Sequence, residues 1–307
     1  METAPRITLA SWLMVATLAF VWGGTFLVTE VALLGITPFW LAAARIGFAA
    51  VLMGMVWAAL GFRLFEVRPA RATTATVLAI GVLSSALPFS LLAWGQQYVT
   101  SGFAGVSMAA VALIVLPLAH FTVAGERMTP RKTVGFAIGF VGVVILIGAQ
   151  AFESTGAARE GWGRIACVGA AACYAVASIL MRRLPAVHPI GLASVLLMIG
   201  AAVSLPVALA VEGPPPLPDA KTLGVLAFLG LIPTAAANFL RVLVVRSAGP
   251  VFMSLVNYQV PLWSVLLGAW LLSEPLPSSL LLAMALILTG VGLSQFGALS
   301  RLFKRRG

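Results

Sequence analysis

The sequence predicts an all-α polytopic membrane protein with ten transmembrane helices, arranged as two inverted five-helix repeats. Three observations support this fold class. Of the 307 residues, 61% are hydrophobic and only 9% are charged, whereas a soluble protein carries about a quarter charged residues. The apolar residues fall into ten stretches, each near the length of about 20 residues that a helix needs to cross a bilayer. The two halves of the chain also share matching residues at a nearly constant offset.

Short polar or Pro-containing segments separate the apolar stretches and leave no room for a soluble domain. The first stretch is longer than the apolar core of a signal peptide, so we expect it to remain in the protein as the first span. The expected spans, in chain order, cover residues 11–34, 38–60, 73–99, 101–123, 133–149, 163–181, 189–211, 223–245, 250–272 and 278–296.

Lys and Arg residues are distributed unevenly between the two sides of the membrane. Basic residues in short loops stay on the cytoplasmic side. With a cytoplasmic N-terminus, fifteen of the 19 basic residues face the cytoplasm, three face outward, and Arg45 falls inside a span. The sequence therefore predicts that both termini are cytoplasmic. The net charge of +10 reflects this sidedness and does not indicate a nucleic-acid partner.

The two halves of the chain match each other at separations of 145 to 151 residues. The matching pairs are Pro38 with Pro189, Pro88 with Pro233, and Glu126 with Glu274. We therefore expect one repeat in residues 1–150 and a second in residues 151–307. Five spans is an odd number, so the second repeat must enter the membrane from the opposite side. Inverted repeats of this kind are typical of secondary transporters.

Catalytic and cofactor-binding patterns are absent from the sequence. It contains no HExxH motif, no Ser-His-Asp set, no paired carboxylates and no Cys/His spacing suited to a metal. An enzyme embedded in a membrane would need such a constellation of polar groups. We therefore expect neither enzymatic activity nor a cofactor.

Several short motifs recur in a characteristic order. The first half contains WGGTF at residues 22–26, LAAAR at residues 41–45 and GER at residues 125–127. The second half carries the pattern more weakly, with SE at residues 273–274 and GVG at residues 290–292. Their order and spacing resemble the EamA repeat of the drug/metabolite transporter superfamily, and the likeness extends over nearly the whole chain. Within that superfamily the chain looks most like bacterial inner-membrane amino-acid exporters of the YddG type.

The resemblance implies a fold in which spans one, three, four, six, eight and nine surround a central cavity. It implies export of small metabolites by alternating access, with aromatic or large apolar amino acids as the leading substrates. The implied protein is a monomer in the bacterial inner membrane, with a small molecule and the lipid bilayer as its partners. An exporter of drugs or other metabolites is the alternative, and a channel or a membrane enzyme is less well supported.

Polar and aromatic residues in the middle of the spans are the candidates for contact with substrate, because polar groups at that depth are costly unless they face a cavity or another helix. Asn257, Tyr258 and Gln259 form the densest group and sweep about 200° around their helix. At least one of the three should therefore face an aqueous path. The full set of candidates is Trp22, Thr25, Trp94, Tyr98, Tyr174, Asn238, Asn257, Tyr258 and Gln259.

Two further pairs of residues have a predicted role. Pro88 and Pro233 break corresponding spans, which suggests paired hinges. Glu30 and Arg45 lie toward the outer ends of adjacent spans. They form either an ion pair with each other or, in the case of Arg45, a site for a substrate carboxylate. The middle of the membrane contains no Asp or Glu, so the sequence leaves facilitated diffusion and proton exchange equally open.

Overall fold

The computed structural model of the chain describes residues 7–65, 71–122, 128–148, 159–185, 187–248, 250–253 and 255–304. Within these residues the regular structure is helical, apart from an isolated bridge between Phe65 and Val187. Two stretches are π-helical turns, Val82–Ala86 and Gly230–Ala236. The α-helices are α1 Leu9–Leu33, α2 Pro38–Ala59, α3 Arg71–Gly81, α4 Leu87–Gly95, α5 Ser101–Met108, α6 Ala110–Thr122, α7 Pro130–Gly148, α8 Glu160–Arg182, α9 Pro189–Glu212, α10 Ala220–Leu229, α11 Ala237–Ala248, α12 Pro250–Met253, α13 Val256–Leu271 and α14 Ser278–Lys304.

Eight helical stretches within the described residues are long and apolar enough to cross a membrane. They correspond to spans one to four, six to eight and ten of the sequence prediction. The expected fifth span corresponds to α7, and the expected ninth span is divided into α12 and α13. The helical fold class is therefore confirmed, while the count of ten spans stays a prediction.

The helices begin where the sequence supplies caps. Thr8 accepts a hydrogen bond from the amide of Ser11 and starts α1, and Thr100 accepts one from the amide of Phe103 and starts α5. Such side-chain oxygens pair backbone N–H groups that have no partner inside the helix. This matters more in a bilayer, because the hydrocarbon region offers no water to replace them.

Helices α2 and α9, the second spans of the two halves, cross in antiparallel orientation. Near one end of the crossing, Ser194 donates a hydrogen bond from its hydroxyl to the Met53 carbonyl at 2.8 Å. At the other end, the carboxylate of Glu212 accepts hydrogen bonds from the amides of Phe39 and Trp40 at 3.1 and 3.0 Å. The end of α9 thus lies against the beginning of α2.

Helices α7 and α14, the fifth spans of the two halves, also cross in antiparallel orientation. Gly135 and Gly139 pack against Gly290, and further along α7 Gly142 packs against Ile287. A β-carbon on Gly290 would lie 2.5 Å from the Gly139 nitrogen and 2.7 Å from its α-carbon. The glycines therefore allow the two backbones to touch.

Corresponding spans that run in opposite directions are what inverted repeats require. The expected boundary between the repeats, at residues 150 and 151, lies outside the described residues. The division of the chain into repeats 1–150 and 151–307 therefore stays a prediction that these two crossings favour.

One end of the helix bundle collects the connections 34–37, 96–100, 213–219 and 272–277, and we call it the upper end. The sequence predicts that this end faces away from the cytoplasm. A cavity of about 310 Å³ lies there, lined by Val31, Leu34, Gly35, Asp219, Lys221, Thr222 and Val225. Hydrogen bonds from the Thr222 hydroxyl and amide lower the pKa of Asp219 below its usual value. None of the candidate substrate residues lines this cavity.

Replacing Gly290 with alanine should destabilise the protein, because the new β-carbon would overlap the backbone of Gly139. We expect the Gly290→Ala variant to lose about 1–3 kcal/mol of unfolding free energy, seen as a lower melting temperature of the detergent-solubilised protein. Gly297→Ala is the matched control on the same helix, since a β-carbon there would meet no atom within 4 Å. Equal melting temperatures for the two variants would contradict the close α7–α14 contact.

Candidate functional site

The two prolines predicted to break corresponding spans both lie at π-helical turns. The turn Val82–Ala86 precedes Pro88, which is the second residue of α4. The turn Gly230–Ala236 contains Pro233 itself. Proline lacks a backbone N–H and a π-turn widens the helix, so both features release carbonyl groups from the regular ladder. The breaks are thus present in both spans, and their role as hinges stays a proposal.

At the second break, side chains take up the released carbonyl groups. The Thr234 hydroxyl donates to the Leu229 carbonyl at 2.8 Å, in place of the N–H that Pro233 lacks. The Trp22 indole N–H donates to the Pro233 carbonyl at 3.0 Å, and the Asn238 amide donates to the Thr234 carbonyl. Trp22 therefore ties α1 to the broken span eight, and Asn238 supports the break from within.

The first break is less completely paired. The Ser90 hydroxyl donates to the Ala86 carbonyl at 2.8 Å. The Ser84 hydroxyl, by contrast, is buried and has no hydrogen-bond partner among the described residues. The two breaks occupy corresponding positions, but their side chains are not symmetric.

Arg45 lies between the two breaks and contacts both. Its Nε donates to the Thr234 hydroxyl at 2.9 Å. Its guanidinium carbon lies 4.4 Å from the centre of the Phe89 ring, directly after Pro88, a distance at which a cation is attracted to an aromatic face. The Tyr174 hydroxyl is an electrostatic neighbour of the same guanidinium. The remaining N–H groups of Arg45 donate to no described residue.

Arg45 and Tyr174 are both partly exposed, and Arg241 on α11 is exposed. No carboxylate among the described residues pairs with Arg45 or Arg241. The surroundings of Arg45 therefore combine a positive charge with the aromatic side chains of Phe89 and Tyr174.

The ion pair expected between Glu30 and Arg45 is wrong. Arg45 is directed at the break in span eight, whereas the Glu30 carboxyl lies near Glu274 and the amide of Ser101 at the upper end. Proximity along adjacent spans did not determine which way each side chain turns. The other role considered for Arg45, the binding of a substrate carboxylate, stays a proposal.

The aromatic candidates gather around one core. Trp22, Tyr174 and Tyr258 are partly buried and pack against the same buried cluster. The partly buried side chains around this cluster come from spans one, three, four, five, six, eight, nine and ten. They include Trp22, Leu91, Met108, Tyr174, Leu240 and Tyr258.

The three polar residues at 257–259 on α13 have different surroundings. Tyr258 donates from its hydroxyl to the Val291 carbonyl at 3.3 Å, toward α14. Gln259 donates to the Leu255 carbonyl at 3.4 Å within its own segment. Asn257 is exposed and forms no hydrogen bond with a described residue. Of the three, Asn257 is the one whose side chain is exposed, and its contact with a substrate stays a proposal.

The remaining candidates, Thr25, Trp94 and Tyr98, have contacts of their own. Thr25 is buried and its hydroxyl donates to the Val21 carbonyl at 2.9 Å, inside α1. Trp94 and Tyr98 pack edge to face with ring centres 5.1 Å apart, near the upper end. Between them, Gln96 is buried and donates to the Phe26 carbonyl at 2.8 Å.

Sequence reasoning missed several residues that the structure brings to the site. Phe89 and Thr234 each follow a predicted proline directly, and that adjacency was the available signal. Within the described chain, no group of three or more His, Cys, Asp or Glu side chains could hold a metal ion.

Comparison with known proteins identifies related sequences and a related fold. The model of the EamA-like transporter family matches residues 9–148 and again residues 161–295. An uncharacterized transporter of Archaeoglobus fulgidus is 25% identical over 289 residues, which cover 91% of this chain and 96% of the relative. A solved crystal structure has the same fold, with a TM-score of 0.66 at 21% identity, over 94% of this chain and 98% of that one.

Removing the Thr234 hydroxyl should destabilise the break in span eight. Thr234 is 1% exposed, so Thr234→Val would leave both the Leu229 carbonyl and the Arg45 Nε without a partner. Each unpaired buried group costs about 1–3 kcal/mol, which should lower the melting temperature, and Thr234→Ser should restore it. Thr76→Val is the control, because its hydroxyl bond to the Ala72 carbonyl is exposed. An equal effect of Thr234→Val and Thr76→Val would refute this account.

Proposed function

Because the chain belongs to the EamA-like transporter family, whose model matches both of its halves, we propose that it exports small metabolites by alternating access through a central cavity. It is a multi-pass membrane protein, and its named relative is also a transporter. Amino acids with aromatic or large apolar side chains are the proposed substrates. The proposed location is the inner membrane of a bacterium, with a monomeric chain and both termini in the cytoplasm.

The observation that carries the substrate proposal is the environment of the Arg45 guanidinium. It has N–H groups without a partner among the described residues, and no described carboxylate neutralises it. Burying a charge without a partner is costly, so a ligand that brings a carboxylate is favoured. A guanidinium can hold a carboxylate through two parallel hydrogen bonds. An organic anion therefore fits this cavity better than a cation.

The aromatic side chains near Arg45 favour a substrate with an apolar part. Phe89 and Tyr174 lie beside the guanidinium, and Trp22 packs against the same core as Tyr174. Aromatic faces bind planar rings in offset or edge-to-face arrangements. An amino acid could place its carboxylate on Arg45 and its ring among these side chains.

The paired breaks support alternating access. Arg45 contacts both broken spans, through Thr234 in one and Phe89 beside Pro88 in the other. A ligand on Arg45 would compete for these contacts and thereby alter how the two spans pack. Bending at Pro88 and Pro233 would then open the cavity toward one side of the membrane and close it toward the other.

The proposal leaves a second substrate class open. An exporter of drugs or other metabolites would have the same fold and the same breaks. The positive charge of the cavity argues against cationic drugs but not against other organic anions. A substrate screen should therefore contain aromatic amino acids, aliphatic amino acids and aromatic carboxylates without an amino group.

Exchange of labelled phenylalanine in proteoliposomes tests the proposal. We expect the wild-type protein to show saturable counterflow, which a channel would not show. Arg45→Gln should reduce the rate about tenfold or more, since loss of a buried charged contact costs at least about 1.4 kcal/mol. Arg71→Gln, at the exposed start of α3, is the matched control and should transport at the wild-type rate. Unchanged transport by Arg45→Gln would remove Arg45 from the site.

A further inference from the structure

A pair of carboxyl groups lies at the upper end of the bundle. Glu274, in the connection after α13, accepts hydrogen bonds from the amides of Ser101 and Gly102 at 2.8 and 3.0 Å. These amides are the first of α5, so Glu274 caps the start of span four. The cap joins the end of span nine to the beginning of span four, in line with the helix dipole.

Glu30 brings a second carboxyl group to the same place from α1. Its side chain lies against the Glu274 carboxyl and the amide of Ser101. One of its oxygens, Oε2, is buried and has no hydrogen-bond partner among the described residues. Two carboxylates placed together in a region of low dielectric repel each other strongly.

The buried hydroxyl of Ser101 lies beside the two carboxyl groups. Ser101 is 0% exposed and its Oγ has no partner among the described residues. The cluster is closed on the far side by Gly268, where a β-carbon would lie 2.8 Å from both the Ser101 Oγ and the Glu274 Cδ. Unpaired buried polar atoms are rare and need an explanation such as a bound ion.

No described basic residue neutralises the two carboxyl groups. The helices that pack against α1 and α5 carry several charged or titratable groups, but none of these forms an ion pair with Glu30 or Glu274. Arg45 contacts Thr234, Arg164 pairs with Glu160, and Tyr258 donates toward α14. The other such groups with described side chains on these helices are His120, Arg131, Lys132, Cys167, Cys173, Tyr174, Arg182, Lys221 and Arg241.

We propose that Glu30 and Glu274 bind one proton between them, and that this proton holds the upper ends of spans one, four and nine together. With the proton bound, one carboxylic acid can donate to the other carboxylate, and a single negative charge stays on the helix cap. Loss of the proton leaves two negative charges in contact. Their repulsion would separate α1 from the junction of spans four and nine and open the upper end.

The site has no counterpart in the second half of the chain. Met181 occupies the position equivalent to Glu30 at an offset of 151 residues, so a second carboxyl group is missing from the corresponding place. The residue equivalent to Glu274 is Glu126, which lies outside the described residues. An asymmetric proton site gives an inverted-repeat protein a way to respond to the pH on one side of the membrane.

Infrared difference spectroscopy of the full-length protein in nanodiscs tests the proton site directly. The proton is the probe, and the pH is varied from about 5 to about 9, which covers the pKa values of strongly shifted carboxyl groups. We expect a protonated carboxyl band near neutral pH in the wild-type protein. The band should be lost in Glu30→Gln, an uncharged variant of nearly the same shape. Glu212→Gln is the control, because Glu212 also caps a span start but has no second carboxyl beside it.

The outcomes separate the proposal from its competitors. Loss of the band in Glu30→Gln and its retention in Glu212→Gln support the shared proton. Absence of the band from the wild-type protein, or its persistence in Glu30→Gln, overturns the proposal. A carboxylate spectrum that changes when sodium chloride replaces choline chloride at constant pH also overturns it, because a sodium ion would then occupy the site. The wild-type titration needs no variant and stands if Glu30→Gln fails to fold.

The link to transport rests on the proposed function and is tested separately. In proteoliposomes with an imposed pH gradient, the wild-type protein should drive uphill flux of labelled phenylalanine. Glu30→Gln should retain counterflow and lose uphill flux. Counterflow without gradient-driven flux in the wild-type protein would overturn the coupling. Absence of all wild-type counterflow would instead contradict the proposed function, while the infrared result would still decide the proton site.

Discussion

The structure depends on how a single guanidinium is accommodated inside an apolar helix bundle. Arg45 is surrounded by protein, and it is held by a neutral hydroxyl and an aromatic face, with no carboxylate beside it. Both contacts are supplied at breaks in spans that the repeat relates to each other. The breaks are in turn stabilised by side chains, with Thr234 and Trp22 taking the carbonyl groups that proline releases. The charge and the breaks therefore support one another.

Much of the fold could be predicted from the sequence because it follows from composition and period. The apolar stretches gave the spans, and matched prolines located both π-helical breaks. The partners of individual side chains could not be predicted, since they depend on how far each helix turns about its axis. Glu30 and Arg45 lie near each other along adjacent spans, yet their side chains contact different neighbours. The side chains of residues 257–259 have different surroundings for the same reason. The roles of Phe89 and Thr234 could be recognised only from the structure, where both residues contact the Arg45 side chain.

The two ends of the bundle have different chemistry despite the repeat. Carboxylates fasten the upper end, where Glu212 caps α2 and Glu274 caps α5, each linking the two halves of the chain. At the lower end the Arg183 guanidinium donates to the Thr122 carbonyl at the end of α6 at 2.6 Å. Capping by acids at helix starts and by bases at helix ends agrees with the helix dipole. This contrast distinguishes the two ends of the bundle.

We propose that Arg45 recognises the carboxylate of the substrate. Inhibition of counterflow by phenylalanine and by its carboxamide, measured on the wild-type protein and on Arg45→Gln, tests it most directly. We expect the wild-type protein to bind phenylalanine at least about tenfold more tightly than phenylalanine carboxamide. We expect Arg45→Gln to bind the two compounds about equally, because the carboxylate of phenylalanine then has no cationic partner. The same preference for the acid in both proteins would contradict the claim.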